Sequence, residues 1–368
     1  FMANEKKTVR EPSFILALVP IVAMIGFMLY CFHGHSETGY HDAHLPLVMS
    51  IIVACIVGFI CGHSFQEMLA GMVERLAASM EAVLILATVG FLVTSFMLSG
   101  AIPTMIVYGL DLLTPQLFLP VGCILCAIVG MACGSSWTTT ATIGLAFLGI
   151  GAGLGIPAPI TAGMIISGAY VGDKFSPLSD TTNLAAAVAE TGLFDHVTAM
   201  VSTTGPTLLL SLILYTILGL NVDTSAYDAT VAEGIQEAFR GAFTISPILL
   251  LPIIVVIVMC ILRVPGLVGI AVSVATAVVF MLIFQSTDIF YSYSLGDIFD
   301  VLHYGHAVET GNAVADSILG KAKGMDGMMW TINLILVALA YGGALERCGC
   351  IEKLFGGLKH KIHSVGSL

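Results

Sequence analysis

Long runs of apolar residues alternate with short polar segments along most of the chain. A helix needs about 17–25 mainly apolar residues to cross a bilayer, so the pattern predicts membrane-spanning helices. The first run is too long for the apolar core of a signal peptide. The predicted spans are Ser13–Phe32, Leu45–Cys61, Ala82–Leu98, Phe194–Leu220, Ser246–Leu262, Pro265–Gln285 and Met328–Leu345.

Two segments have the pattern of surface helices instead. In Phe65–Met80 the apolar residues recur on one helical face, and Glu67, Glu74 and Arg75 lie off that face. This amphipathic pattern is typical of a helix in the membrane interface. A second surface helix is predicted at Leu295–Tyr304, within a polar segment.

Composition agrees with an all-α polytopic membrane protein. Hydrophobic residues make up 57% of the chain and charged residues 10%, whereas soluble domains are roughly one-quarter charged. The net charge is −11, and no stripe of lysine and arginine predicts a nucleic-acid partner. Most of the nine cysteines lie in apolar runs, where they behave as small apolar residues. The bilayer is therefore the first predicted partner.

The segment Val171–Ala185, VGDKFSPLSDTTNLA, places Asp173, Lys174 and Asp180 in a strongly apolar context. Pro177 favours an unwound break in the helix, which at membrane depth is tolerated only where it lines a cavity or is buried in protein. Ionisable groups at that depth indicate an ion or proton path. The exposed carbonyls and carboxylates suit a small cation, and the following helix N-terminus suits an anion.

A simpler interpretation of the same segment remains open. Ser179 or Asp180 would cap the following helix, and Asp173 would pair with Lys174. Capping accounts for one of these residues, but it does not account for two aspartates, a lysine and Asn183 within a few positions.

A second polar interruption, CGSSWTTTAT at Cys133–Thr142, lies between two short apolar arms. Its small residues and hydroxyl groups predict the tip of a re-entrant hairpin that faces the break. The alternatives are a helix–helix contact made by small residues, or hydroxyl groups bonded to carbonyls of their own helix.

The continuous segment GSSWTTTATIGLAFLGIGAGLGIPAPITAGMIISGAYVGDKFSPLSDTTNLA, Gly134–Ala185, resembles the signature region of the NhaC-type sodium/proton antiporter family. The surrounding spans agree in order and spacing, so the resemblance covers most of the chain. It implies an inverted-repeat ion-transporter fold, in which each repeat holds a re-entrant hairpin and a discontinuous helix. It further implies elevator-like transport, a bacterial inner membrane and assembly as a homodimer.

A weak internal repeat is consistent with that fold. Ser79–Pro103 and Met328–Glu352 share three identities when Gly100 is aligned with Gly349. The family resembled carries a second G-D-x-x-S-P-x-S-D-T motif in its C-terminal half, and this chain has none after Leu193. We therefore expect an incomplete second repeat.

The predicted organisation has four parts. They are a cytoplasmic tail at residues 1–12, a first half with the hairpin and broken helix at 13–220, a loop at 221–245, and the truncated start of a second half at 246–368. Lys6, Lys7 and Arg10 precede the first span and Arg75 follows the second. The positive-inside rule then predicts a cytoplasmic N-terminus.

The predicted function is exchange of Na⁺ for H⁺ by competition for one carboxylate, because burial disfavours its charged form. Asp180, with Ser179 and Thr181, is the predicted Na⁺ ligand. Asp173 is the predicted proton carrier, and Lys174 is its charge partner. The full predicted ion or substrate site is Gly134, Ser135, Ser136, Thr138, Thr139, Asp173, Ser176, Ser179, Asp180, Thr181, Thr182 and Asn183.

Other functions use the same residues. In Na⁺-coupled exchange of a malate-like or lactate-like anion, the amides of Thr181–Asn183, the hydroxyls of Ser135–Thr140 and Lys174 would hold the carboxylate. An intramembrane aspartyl protease at Asp173 and Asp180 is disfavoured, because no second motif opposes them. A non-transporting structural subunit is a further reading. No enzymatic activity and no cofactor are expected, and Na⁺ is cargo or coupling ion.

Overall fold

The computed structural model describes residues 9–33, 42–133, 136–176, 179, 181–182, 185–186, 191–221, 229–262, 264–285, 295–320 and 322–359. Regular structure in these ranges is helical. Four helices are long and apolar enough to cross a membrane, namely Phe14–His33, Leu193–Leu220, Leu267–Phe284 and Asp326–Arg347. Two bent helix pairs raise this number to six if each pair is one span. The chain is therefore an integral, multi-pass membrane protein.

The helices in chain order are α1 Phe14–His33, α2 His44–Ile60, α3 Phe65–Ala78, α4 Met80–Leu98, α5 Ala101–Leu112, α6 Pro115–Cys133, α7 Ser136–Thr139, α8 Leu145–Gly153, α9 Ala158–Phe175, α10 Leu193–Leu220, α11 Ala229–Ala242, α12 Leu251–Ile261, α13 Gly266–Phe284, α14 Leu295–Tyr304, α15 Ala313–Leu319, α16 Asp326–Arg347 and α17 Cys350–Lys359. A π-helical turn, Thr140–Gly144, joins α7 to α8, and a 3₁₀ turn, Pro247–Leu250, precedes α12. The helices predicted from apolar runs, and the two surface helices α3 and α14, are confirmed to within about two residues, with one exception. The run predicted at Ser246–Leu262 starts with the 3₁₀ turn and becomes the α-helix α12 only at Leu251.

One predicted loop is wrong in part. The range 221–245 contains α11, an amphipathic helix whose buried residues Ala232, Ile235 and Phe239 recur at helical spacing. The Gln236 side chain donates to the Val107 carbonyl at 3.0 Å and to Asp111 Oδ1 at 2.8 Å. The acidic residues on the other face of α11 made this segment resemble a polar connection.

The chain divides into two compact units by its internal contacts. One comprises Phe1–Leu84 and Met329–Leu368, and the other comprises Ile85–Met328. In the first, α1 packs against α2 and α17, and the Tyr341 hydroxyl donates to the Pro20 carbonyl at 3.0 Å.

The second unit holds the larger apolar core, formed by α4, α5, α6, α8, α9, α11, α12, α13 and α15. Phe118 and Phe147 meet edge to face in it, with ring centroids 5.9 Å apart. This geometry is the one that aromatic pairs prefer. The core fixes the positions of α6 and α9, which carry the two polar motifs.

Helix α10 packs mainly on α6 and α9 among the described helices. Its apolar side chains Leu209, Leu210 and Ile213 are exposed, as expected for contact with lipid. Its hydroxyl groups bond to carbonyls of their own helix, one turn back. These bonds run from Thr198 to Phe194, Ser202 to Ala199, Thr203 to Met200 and Thr207 to Thr203.

Candidate functional site

Helix α9 ends inside the polar motif that the sequence singles out. Its last helical residue is Phe175, and Ser176 is extended, with φ −82° and ψ 123°. Helical backbone resumes at Thr181 and Thr182. The helix is therefore broken within the predicted segment, and Pro177 and Asp180 lie outside the described residues.

Hydroxyl groups organise the backbone on both sides of this break. The Ser176 amide donates to the Asp173 carbonyl at 3.1 Å. The Ser179 hydroxyl accepts from the Thr182 amide at 3.3 Å and lies 2.9 Å from the Thr181 hydroxyl. Ser179 thus caps the helical residues that follow it, as the simpler interpretation of the motif proposed.

Thr182 ties the two sides of the break together. Its hydroxyl donates to the carbonyl of Asp173 at 3.2 Å and to that of Lys174 at 3.4 Å. Carbonyls in the last turn of a helix lack intrahelical partners, so this side chain satisfies groups that the break exposes.

The short helix α7 and the broken helix α9 meet at Asp173. The Ser136 hydroxyl donates to Asp173 Oδ2 at 3.1 Å. Asp173 is only 7% exposed, and its other carboxylate oxygen, Oδ1, has no hydrogen-bond partner among the described residues. A buried carboxylate oxygen without a partner is costly, so a ligand that bonds to this oxygen would stabilise the site.

Glycines bring α6 and α9 close enough for this contact. A Cβ on Gly172 would overlap the Ala127 carbonyl, and one on Gly168 would overlap the Cys123 carbonyl. A Cβ on Gly130 would lie 2.8 Å from the Ala169 carbonyl. The two backbones are therefore in direct contact beside Asp173. This role of the glycines was not predicted from the sequence, although small residues four apart are typical of close membrane-helix contacts.

The predicted site residues fall into three groups. Ser136, Thr139, Asp173, Ser176, Ser179 and Thr182 are buried. Lys174 and Thr181 are exposed, and within the described part of the chain Lys174 forms no ion pair with Asp173. Gly134, Ser135, Asp180 and Asn183 lie outside the described residues, as does the side chain of the α7 residue Thr138.

The chemistry of the buried group is that of oxygen ligands. It supplies five hydroxyls and one carboxylate, and no positively charged side chain among the described residues belongs to it. Hard cations take oxygen ligands of this kind. Within the ranges described above, no cluster of three His, Cys, Asp or Glu side chains is arranged for a metal ion.

The sequence profile of the Na⁺/H⁺ antiporter family matches residues 168–368, a range that begins just before Asp173. The chain belongs to the Na⁺/H⁺ antiporter family. The resemblance noted in the sequence is thereby confirmed. No solved structure matches the chain.

Curated relatives of this antiporter-family chain carry three kinds of name. It is 34% identical over 327 residues to the Na⁺/H⁺ antiporter NhaC of Alkalihalophilus pseudofirmus, covering 89% of the chain and 69% of the relative. It is 35% identical to the arginine/ornithine antiporter ArcD of Halobacterium salinarum, covering 97% and 72%. It is 31% identical to the malate-2H⁺/Na⁺-lactate antiporter of Bacillus subtilis, covering 98% and 75%.

Proposed function

We propose that the chain is a secondary antiporter that exchanges Na⁺ for H⁺ across the bacterial cytoplasmic membrane, with its N-terminus in the cytoplasm. The observation that carries this proposal is the buried Asp173 carboxylate: Ser136 donates to one oxygen, and the other has no hydrogen-bond partner among the described residues. The similarity to the NhaC antiporter named above supports the same activity.

In this mechanism the Asp173 carboxylate is occupied by one charge at a time. Burial disfavours a bare carboxylate, so the Oδ1 atom takes either a proton or a nearby cation. A cation beside the carboxylate stabilises its ionised form and displaces the proton. The carboxylate cannot hold a proton and a cation well at the same time. Binding of the cation on one side of the membrane therefore releases the proton there, and binding of a proton releases the cation.

The Na⁺ ligands remain part of the proposal. We assign Asp180 as the carboxylate ligand, with Ser179 and Thr181 as hydroxyl ligands. The 2.9 Å separation of the two hydroxyl oxygens supports a shared contact to one ion. Asp173 is the proton carrier. Lys174, which is exposed, would act on Asp173 through the field of its charge and not through a direct ion pair.

A repeated helix pattern supports the inverted-repeat, elevator-type architecture that we propose for the antiporter. Helix α4 ends at Leu98 and α16 ends at Arg347, both two residues before a glycine in the left-handed region. These glycines are Gly100, with φ 81°, and Gly349, with φ 72°. The next helix begins directly after each glycine, at Ala101 and at Cys350. Assembly as a homodimer is part of the same proposal.

A second candidate function is Na⁺-coupled exchange of a small organic anion. The similarity to the malate-2H⁺/Na⁺-lactate antiporter favours it. The buried hydroxyl cluster argues for the cation instead, because a carboxylate substrate would lie beside Asp173 without a buried positive charge to balance it. Uptake of labelled malate or lactate in response to a Na⁺ gradient distinguishes the two functions.

The deciding experiment compares Asp173→Asn with Lys174→Gln in inverted vesicles or proteoliposomes that contain a pH-sensitive dye. Wild-type protein should move protons when Na⁺ is added, and Asp173→Asn should abolish this flux, because the amide cannot exchange a proton. Lys174→Gln keeps most of the flux because its side chain is exposed. Normal Na⁺-driven flux in Asp173→Asn, at equal protein level, would reject the mechanism.

A further inference from the structure

Two cysteines flank the turn between α16 and α17 in the unit that contains both chain ends. Cys348 follows the last residue of α16, and Cys350 is the first residue of α17. Gly349 between them has φ 72°, a left-handed conformation that glycine adopts easily. This turn brings the two sulfur atoms to 3.1 Å from each other.

The separation is short enough for direct sulfur chemistry. A disulfide requires an S–S bond of about 2.05 Å, so closing the pair needs a movement of about 1 Å. The Cys348 thiol also lies 3.4 Å from the Leu345 carbonyl, which holds its sulfur beside the end of α16. The two thiols are thus held side by side by the backbone of the turn.

Cys348 has a route to small reagents although it is only 1% exposed. It lines an open cavity of about 680 Å³ in the same unit, together with Arg10, Arg347 and Lys353. A volume of this size accommodates a small-molecule ligand. Cys350 is 0% exposed and is not among the residues that line this cavity, so Cys348 is the sulfur that a reagent in the cavity meets first.

The two sulfurs have different reactivity. Hydrogen bonding with Cys350 lowers the pKa of Cys348 to about 7, and the same hydrogen bond together with burial raises the pKa of Cys350. The thiolate is the reactive form of cysteine. Cys348 is therefore the attacking sulfur near neutral pH, and Cys350 is the sulfur that resolves the product.

We propose that Cys348 and Cys350 form a dithiol site that small disulfides oxidise to an intramolecular disulfide. The Cys348 thiolate attacks one sulfur of the small disulfide, so a mixed disulfide forms and one thiolate leaves. The Cys350 sulfur, after losing its proton, attacks Cys348, and the second small thiolate leaves. The protein gives up two protons and two electrons, and the small disulfide becomes two thiols.

The test treats the purified full chain with oxidised glutathione, blocks remaining thiols with N-ethylmaleimide and analyses the peptides by mass spectrometry. Wild-type protein should yield a peptide in which Cys348 and Cys350 carry no maleimide and have together lost two hydrogens. Cys123, a buried residue of α6, serves as the internal control. Its thiol should not react with the oxidant, and maleimide should alkylate it only after the protein is unfolded.

Single variants separate the two roles. Cys350→Ser should accumulate the mixed disulfide of Cys348 with glutathione, because no second sulfur resolves it. Cys348→Ser should leave Cys350 unmodified. The proposal is overturned if wild-type Cys348 and Cys350 resist the oxidant as Cys123 does, or if Cys350 in Cys348→Ser reacts as readily as Cys348 in Cys350→Ser.

Discussion

Two helix breaks in the second unit differ in how their exposed groups are satisfied. After α4, the chain turns at Gly100, and the Gln285 side chain spans the break: its Nε2 donates to the Ser99 carbonyl at 2.8 Å, and its Oε1 accepts from the Thr244 amide at 3.0 Å. After α9, the Thr182 hydroxyl donates to the carbonyls of Asp173 and Lys174, but the Asp173 carboxylate keeps one buried oxygen that has no hydrogen-bond partner among the described residues.

This difference separates a structural break from a functional one. A neutral amide that is hydrogen-bonded at both its oxygen and its nitrogen holds a fixed geometry and carries no charge for an ion to balance. A buried carboxylate with an unpartnered oxygen is unstable alone and gains stability from a ligand. We therefore expect substitutions at the Gly100 break to change stability, and substitutions at the Ser176 break to change transport.

The largest effect is expected for Gly172→Ala, because the new Cβ would overlap the Ala127 carbonyl and push α9 away from α6. Overpacking of this kind costs roughly 1–3 kcal/mol, and the neighbouring Asp173 would lose its contact with Ser136. Na⁺-driven proton flux should be lost and the unfolding midpoint in detergent should fall.

Gly163→Ala on the same helix is the matched control. Its added Cβ would meet only the Tyr215 hydroxyl oxygen, at an ordinary contact distance of 3.5 Å. Flux and midpoint should remain close to wild type. Equal behaviour of the two alanine variants would show that the close contact of α6 and α9 is unimportant.

A smaller effect, on stability alone, is expected for Gln285→Ala. The Ser99 carbonyl would lose its partner in a buried position, which costs about 1–3 kcal/mol, and the half-buried bond to the Thr244 amide would be lost with it. The unfolding midpoint should fall, while flux per folded molecule should persist. Gln236→Ala, which removes a glutamine at the surface of α11, should cost less. Loss of transport by folded Gln285→Ala would erase the distinction between the breaks.

Ser136→Ala should do the reverse, with a change in transport and little change in stability. Removing one hydrogen bond of about 0.5–1.5 kcal/mol frees Asp173 Oδ2 and alters its affinity for Na⁺ or H⁺ several-fold. The apparent Na⁺ affinity, measured from flux against Na⁺ concentration, reports this change. Ser136→Thr should restore it, and Ser95→Ala, which removes a buried hydroxyl bonded within α4, should leave it unchanged.

The smallest effect concerns Asp316, a carboxylate whose partners are present. Its Oδ1 accepts from the amide and the hydroxyl of Thr310, each at 2.7 Å, and these bonds lower the pKa of Asp316. These bonds stabilise the folded state above about pH 4, where the carboxylate is ionised in both the folded and the unfolded chain. This stabilisation is lost as the pH falls through the lowered pKa of Asp316 in the folded state. Asp316→Asn should flatten the dependence of the unfolding midpoint on pH below about pH 4. An unchanged acid slope would contradict this assignment.

The sequence predicted the helices that cross or line the membrane because their length and apolar character are set by the bilayer. It did not predict α5, because Pro103 looks like a helix breaker in the sequence. In the structure Pro103 lies in the first turn of α5, where proline is tolerated. It missed α11 for a different reason, since only one face of that helix is apolar.

At the candidate site, the residue types were predictable and their pairing was not. Two carboxylates and a row of hydroxyls in an apolar context indicated an ion path. The bond between Ser136 and Asp173 depends on the distance between α6 and α9. Glycines on both helices set that distance, and their effect appears only when the two backbones are placed together.

The hydroxyl groups of α10 have a consequence for the solvent around that helix. Because Thr198, Ser202, Thr203 and Thr207 each donate to a carbonyl of their own helix, none needs a water molecule to accept its hydroxyl proton. Along this stretch the helix can therefore lie against acyl chains as well as against water without leaving a hydroxyl proton unbonded.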